Sequence, residues 1–249
     1  MAEATTRLIA LDWGTTRLRA YRVGEGGRVL ERRSRDAGIL KVPDGDFAGT
    51  LAGTAGDWLA AAPTAPVIAA GMIGSRQGWS EVPYVPCPAG LEEIAAGLGR
   101  VALPDGRAVH LVPGLVLPTA AGGFPDVMRG EETQILGLLA AAAPEATRRC
   151  FVLPGTHSKW AWTEGRGIVR FATYMTGELF ELTTKHGILG RLMTTAEPIP
   201  EAFARGIARA AAARRAPPGR LLHELFSART LALLGEMPAG TWRATSAAS

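Results

Sequence analysis

The sequence predicts an α/β fold of two related lobes. Three observations lead there: a strand–turn–strand unit occurs twice, strands alternate with helices between the copies, and glycine-rich turns follow apolar strands directly. The first copy is Leu8–Tyr21, where the apolar run Leu8-Ile9-Ala10-Leu11 ends in Asp12. The turn Trp13-Gly14-Thr15-Thr16 comes next, and an extended pattern resumes to Tyr21. The second copy is FVLPGTHSKWAW, residues 151–162. Aligned without a gap, GTTRLRAY and GTHSKWAW share the glycine, the threonine, the alanine and the terminal aromatic. Each copy is followed by a glycine-rich turn, Gly24 to Gly27 and Gly165 to Gly167. Both turns are therefore expected to face one shared cleft.

Such turns suit phosphate. Glycine lets backbone N–H groups approach an anion closely, and successive amides form an anion-binding concavity. Threonine hydroxyls add donors. A carboxylate at a strand end, here Asp12, suits Mg²⁺, which keeps several waters and takes one or two protein carboxylates beside phosphate oxygens.

In chain order, Arg28 to Ser34 reads as a third strand. Asp46 to Ala62 places Phe47, Leu51, Trp58 and Leu59 at helical spacing, with Asp44 or Asp46 near the N-cap and Pro63 and Pro66 as stops. Val67 to Ala70 is a short buried strand that runs into GMIGSRQGW, Gly71 to Trp79. Ligands of α/β folds sit just past strand ends. In that loop Arg76 is suited to grip a carboxylate with paired hydrogen bonds, and Ser75 and Gln77 to bind hydroxyls. The proline-dense VPYVPCPAG excludes regular helix, Pro88 to Leu98 reads as a helix, and Val109 to Leu117 as a strand broken at Pro113-Gly114. Residues 122–130 read as a loop, and Glu131 to Ala143 as a helix with an acidic first turn. Glu131 there either complements the helix dipole or accepts a hydroxyl proton.

The second lobe begins with a strand at 150–154 and the turn Gly155-Thr156-His157-Ser158-Lys159. No GxxxxGK[ST] phosphate loop occurs in the chain. Strands at 160–163 and 167–174 follow, then a helix from Met175 to about Lys185 capped by Thr176, a helix or turn over 186–193, and helices over 199–213 and 220–235.

Apolar residues make up 47% of the 249, which marks a globular chain. The net charge is +4, and only Lys41, Lys159 and Lys185 are lysines, so arginine supplies 24 of the 27 positive charges. The arginines are scattered, with short clusters at Arg32/Arg33/Arg35 and Arg214/Arg215 but no long basic run with interleaved aromatics, which argues against nucleic-acid binding, and the charge suits an anionic substrate. Cys87 and Cys150 stand far apart in unlike surroundings, so free thiols are expected rather than a disulfide or zinc site. The N-terminal apolar run is short and broken by Asp12, and the Ala-rich stretch 138–143 is too short to span a bilayer. A cytoplasmic protein without membrane contact is expected.

Six motifs carry a resemblance: LDWGTTRLRAY, GMIGSRQGW, PYVPCPAG, DVMRGEETQILGLL, LPGTHSKW and YMTGELFELT. Together, from Leu8 to Leu234, the chain resembles the 2-dehydro-3-deoxygalactonokinases, within the sugar kinase/Hsp70/actin superfamily. The resemblance implies two ribonuclease-H-like, actin-like ATPase lobes around a central cleft. It also implies ATP and Mg²⁺ as cofactors, and phosphorylation of the 6-hydroxyl of 2-dehydro-3-deoxy-D-galactonate in galactose and galactonate breakdown. Carried over, Asp12, Gly14, Thr15 and Thr16 form the first phosphate motif, with Asp12 as metal carboxylate. Gly155, Thr156, His157, Ser158 and Lys159 form the second. Glu131 is the expected base, with Asp126 in reserve, and Ser75, Arg76 and Arg129 meet the sugar acid. The implied lobes are 1–147 and 148–237. Proteins of this kind continue with a strand, a glycine-rich adenosine-binding turn and a helix where this chain reads LLGEMPAG and then TWRATSAAS. The second lobe is therefore expected to be incomplete, with a disordered tail at 238–249. Two other readings remain: a kinase for another sugar acid, and a non-catalytic chain that binds nucleotide or sugar acid. Oligomeric state is left open.

Overall fold

Strand β1 (Leu8–Trp13) buries Ile9, Leu11 and Trp13 and leaves Leu8, Ala10 and Asp12 partly exposed. That alternation follows from side chains pointing to opposite faces of a strand. The computed structural model describes residues 5–119, 123–141, 148–192, 200–213 and 220–236. Over these the chain is a mixed α/β protein with three sheets.

β1 pairs antiparallel with β2 (Leu18–Val23), and β2 with β3 (Val29–Arg35), so the opening hairpin extends into a meander. Helix α1 (Phe47–Ala61) starts at Asp46, whose Oδ1 accepts from the Gly49 amide at 2.7 Å. Of the two expected caps, Asp46 holds the position, and Asp44 lies in the preceding turn at φ 51°. β4 (Val67–Ala70) lies parallel to β1. The chain then forms β5 (Val85–Pro86), α2 (Leu91–Ala96), β6 (Gly99–Ala102), β7 (Ala108–Leu111), β8 (Leu115–Leu117) and β9 (Asp126–Met128). The first sheet has the order β3-β2-β1-β4-β7-β6, and the second β5-β8-β9.

One apolar cluster joins Ile9, Leu11, Trp13, Leu18 and Ala20 to Phe47, Leu51, Ala55 and Trp58 of α1. Trp13, Phe47 and Trp79 pack as an aromatic trio, with centroids 5.6, 5.9 and 6.4 Å apart. The trio ties the loop after β4 to the end of β1. The arginine-rich β3 serves the fold as well. Arg33 forks onto Asp57 at 2.5 and 2.7 Å and lies 4.2 Å over the Trp58 ring.

Several elements differ from the sequence expectation. The strand expected across 109–117 is two strands, because Pro113-Gly114 passes the chain from the first sheet to the second. Gly114 is obligatory there: a Cβ would lie 2.4 Å from the Met128 carbonyl oxygen and 2.6 Å from the Tyr84 ring. The loop expected at 122–130 contains β9, which is too short to show a periodicity. The helix expected from Pro88 begins at Leu91, where the Gly90 amide donates to the Glu93 carboxylate at 2.7 Å.

Helix α3 (Glu131–Ala141) buries Glu132, Ile135, Leu136 and Leu139. The third sheet is β10-β11-β12, from Arg149–Leu153, Ser158–Glu164 and Gly167–Tyr174. α4 (Thr176–Glu181) runs into a π-turn over Leu182–His186. Its N-cap is Met175, without a side-chain bond. The Thr176 hydroxyl, expected as a cap, is bonded to the Ser158 hydroxyl. α5 (Pro200–Ala213) and α6 (Arg220–Leu233) follow. The tail expected at 238–249 lies outside the described residues.

Contacts divide the chain into two units. One is Met1–Val152 with Lys159–Thr173, and the other is Leu153–Ser158 with Tyr174–Ser249. Cys87 and Cys150 are free thiols, and burial pushes Cys87 up to about 11. Among the described residues no helix is long and apolar enough to cross a membrane.

Candidate active site

Asp12 ends β1 opposite Arg19 of β2, and Arg19 Nη1 donates to Asp12 Oδ2 at 2.8 Å. In the turn between them the Gly14 amide donates to the Arg17 carbonyl at 2.9 Å. The carbonyls of Gly14, Thr15 and Thr16 accept from the amides of Ile39, Leu40 and Gly38 at 3.0, 3.4 and 3.0 Å. A second segment thus holds the back of the turn, and Thr15 and Thr16 remain exposed. Gly38 has ordinary φ, yet a Cβ there would lie 2.2 Å from the Thr15 oxygen. Only a glycine admits this approach.

Two more glycines bring distant segments to Asp12. Gly71, at φ 95°, would place a Cβ 3.0 Å from the Trp13 oxygen. Gly130, at φ 112°, would place one 3.3 Å from the Gly71 Cα. The ends of β1 and β4 and the start of α3 therefore meet backbone to backbone. Beside them lies a cavity of 450 Å³. Asp12, Arg19, Tyr21 and Arg32 line it from the hairpin and β3, and Ala70, Gly130, Thr133 and Gln134 from the other two segments.

At the start of α3 two adjacent glutamates behave differently. Glu131 is partly exposed and its Oε2 accepts from the Arg129 amide at 3.1 Å. Glu132 is 0% exposed and accepts from the Gly130 amide at 2.7 Å and the Thr133 hydroxyl at 3.0 Å. Burial pushes the Glu132 carboxyl up to about 6, against the lowering effect of those bonds. Asp126 is fully engaged in β9, accepting from the Thr173 amide at 2.6 Å and the Thr173 hydroxyl at 2.7 Å.

The three residues expected to meet the sugar acid lie in different settings. Ser75 donates its hydroxyl to the Met72 carbonyl at 2.7 Å. Arg76 is 86% exposed and reaches Glu81 only at 3.4 and 3.5 Å. Arg129 lies 4.3 Å over the Tyr84 ring and donates to the Val82 carbonyl at 2.8 Å. Its Nε and Nη1 are buried without a hydrogen-bond partner.

The second glycine-threonine turn packs on the start of α4. The Glu178 amide donates to the Thr156 carbonyl at 3.0 Å, and His157 Nε2 pairs with Glu178 Oε2 at 2.5 Å. Gly177 allows this, since a Cβ would lie 2.6 Å from the Gly155 oxygen. Lys159, expected beside phosphate, is only 7% exposed, and its Nζ donates to the Val127 carbonyl at 2.7 Å and the Thr173 hydroxyl at 2.8 Å.

Sequence reasoning missed Gly38, Arg19, Thr133 and Gln134. Arg19 was legible: it is two residues before Tyr21 on a strand opposite Asp12, so hairpin register pairs them. Gly38 gave no local signal.

The comparisons with known proteins agree among themselves. The family model of 2-keto-3-deoxy-galactonokinase matches residues 12–246. The 2-dehydro-3-deoxygalactonokinase of Escherichia coli K12 is 36% identical over 234 residues, covering 94% of this chain and 74% of that protein. A Rhizobium meliloti (strain 1021) protein named for the same activity is 39% identical over 240 residues, with the same coverage. A crystal structure from Sinorhizobium meliloti that carries the 2-dehydro-3-deoxygalactonokinase name superposes with a TM-score of 0.77 at 36% identity, covering 94% of this chain and 74% of that one. With a family model matched over most of its length, the chain belongs to the 2-keto-3-deoxy-galactonokinase family.

Proposed function

We propose that this protein transfers the γ-phosphoryl group of ATP to the 6-hydroxyl of 2-dehydro-3-deoxy-D-galactonate, in galactonate catabolism. The carrying observation is the meeting of Trp13, Gly71 and Gly130 beside a cavity that Asp12 and Gly130 line, with Glu131 beginning the adjacent helix. The duplicated strand–turn–strand plan supports the two-lobed, actin-like arrangement as the fold behind this chemistry.

Glu131 accepts the proton of the sugar hydroxyl as its oxygen bonds to the γ-phosphorus and the bond to the β-phosphate bridging oxygen breaks. A partly exposed carboxylate at a helix start can take that proton and release it to solvent. The exposed Thr15 and Thr16 offer amides and hydroxyls to phosphate oxygens, and on the second turn the exposed Gly155, Thr156 and His157 are suited to the same task. Phosphoryl transfer of this kind is mostly positioning and charge stabilisation. Arg76, exposed in the loop after β4, orients the sugar acid; Ser75, whose hydroxyl proton goes to the Met72 carbonyl, offers it an acceptor oxygen, with Arg129 at the loop's base.

Asp12 fits Mg²⁺: it is the single carboxylate lining the cavity, and Mg²⁺ asks of a protein one or two carboxylates, with phosphate and water supplying the rest. Bound there, the ion would neutralise charge on the phosphates. A cytoplasmic site of action fits this metabolism.

Purified protein with ATP, Mg²⁺ and the ketoacid should release ADP and form the 6-phosphate, read by mass spectrometry. A panel of other sugar acids should react more slowly. Release of ADP that does not depend on any sugar acid would overturn the assignment.

A further inference from the structure

We propose that Lys159, Thr173 and Asp126 form a strut that fixes β9, and with it the Glu131 carboxylate, so that Lys159 is a positioning residue and not a phosphate contact. The inference rests on Glu131 being the base, as proposed above.

The bonding has a fixed direction. An ammonium donates only, so the Thr173 hydroxyl accepts from Lys159 and donates its own proton to Asp126 Oδ1. Opposite charges are thereby joined through one hydroxyl, and such charge-assisted bonds are the strong ones. The Thr173 amide closes the loop on Asp126 Oδ2, and Lys159 also holds the Val127 carbonyl. Two of the three ammonium donors are spent on protein at 2.7 and 2.8 Å, in a residue that is 7% exposed. Little is left to offer a phosphate.

β9 needs such support. It is three residues long and its ladder partner is β8. The strut secures it to β11 and β12, the strands that carry Lys159 and Thr173. Glu131 follows four residues after Val127, across Gly130 at φ 112°. That glycine has no side chain to anchor the joint, so the placement of Glu131 depends on where β9 ends.

The test uses the full chain with ATP and the ketoacid. Lys159→Met keeps the apolar stem and removes the donors. It should lower kcat by about tenfold or more while the KM for ATP changes by less than about twofold. In a Glu131→Gln background the same change should lower kcat by less than about twofold further, because the strut acts through that carboxylate. Thr173→Val should behave as Lys159→Met, and Thr173→Ser should retain the parent rate; this pair serves if Lys159→Met does not fold. Amide exchange over 126–132 should be faster in Lys159→Met than in the parent. A raised KM for ATP with unchanged kcat, full additivity with Glu131→Gln, or unchanged exchange over 126–132 would each overturn the strut. The exchange reading is independent of turnover, so a parent protein without kinase activity would sink the functional assignment and leave the strut to be judged by exchange.

Discussion

The Gly130 amide donates to Glu132 Oε2 at 2.7 Å, which ties a fully buried carboxylate to the glycine that lines the cavity and precedes Glu131. The carboxyl titrates near 6 in the fold, against 4.5 for a solvated glutamate. The native state thus holds the proton more tightly than the unfolded chain. Its contribution to stability is full below about pH 4.5 and is lost as pH rises through 6, a change of about 2 kcal/mol. Glu132→Gln keeps an acceptor for Gly130 and has no charge to bury. Urea unfolding between pH 4 and 7 should show the parent losing stability relative to Glu132→Gln; parallel profiles would contradict the titration.

Asp12→Asn keeps an acceptor for Arg19 and removes the negative charge. The expected result is a fall in kcat of about a hundredfold and a need for about tenfold more Mg²⁺ at half-maximal rate, with folding intact. Steady-state assays across a Mg²⁺ series test it. The same series taken to excess chelator should abolish turnover.

Gly38→Ala introduces a methyl group 2.2 Å from a backbone oxygen that cannot move without breaking the turn. The φ of −64° suits alanine, so the cost is purely steric. A loss of about 3 kcal/mol is expected, with a raised KM for ATP in whatever protein folds. Thermal unfolding and ATP titration check both parts.

Arg76→Ala removes an exposed guanidinium with only long contacts to Glu81. Stability should stay within about 0.5 kcal/mol. The KM for the sugar acid should rise by about tenfold, with the KM for ATP unchanged. Equal effects on both substrates would remove Arg76 from sugar-acid recognition.

Much of this site was legible before the fold was known. Asp12, the turn that follows it and the acidic helix start are local features, each set by a handful of neighbouring residues. What stayed hidden depends on pairing between distant segments. Lys159 sits beside a phosphate-type turn in sequence, yet strand alternation turns its side chain to Val127 and Thr173. β9 and the sheet change at Pro113-Gly114 come from contacts in space, and three-residue strands carry no periodicity to read. Glu131 and Glu132 are alike in composition and separated only by burial.

The backbone junction of Trp13, Gly71 and Gly130 has a consequence for how the chain matures during synthesis. Its three members are spread over more than a hundred residues, so the carboxylate of the opening hairpin emerges from the ribosome long before the walls beside it. Contacts of such long range form late. A nascent chain therefore carries Asp12 before the cavity beside it has all its walls, and these are complete only when the helix that begins at Glu131 has docked.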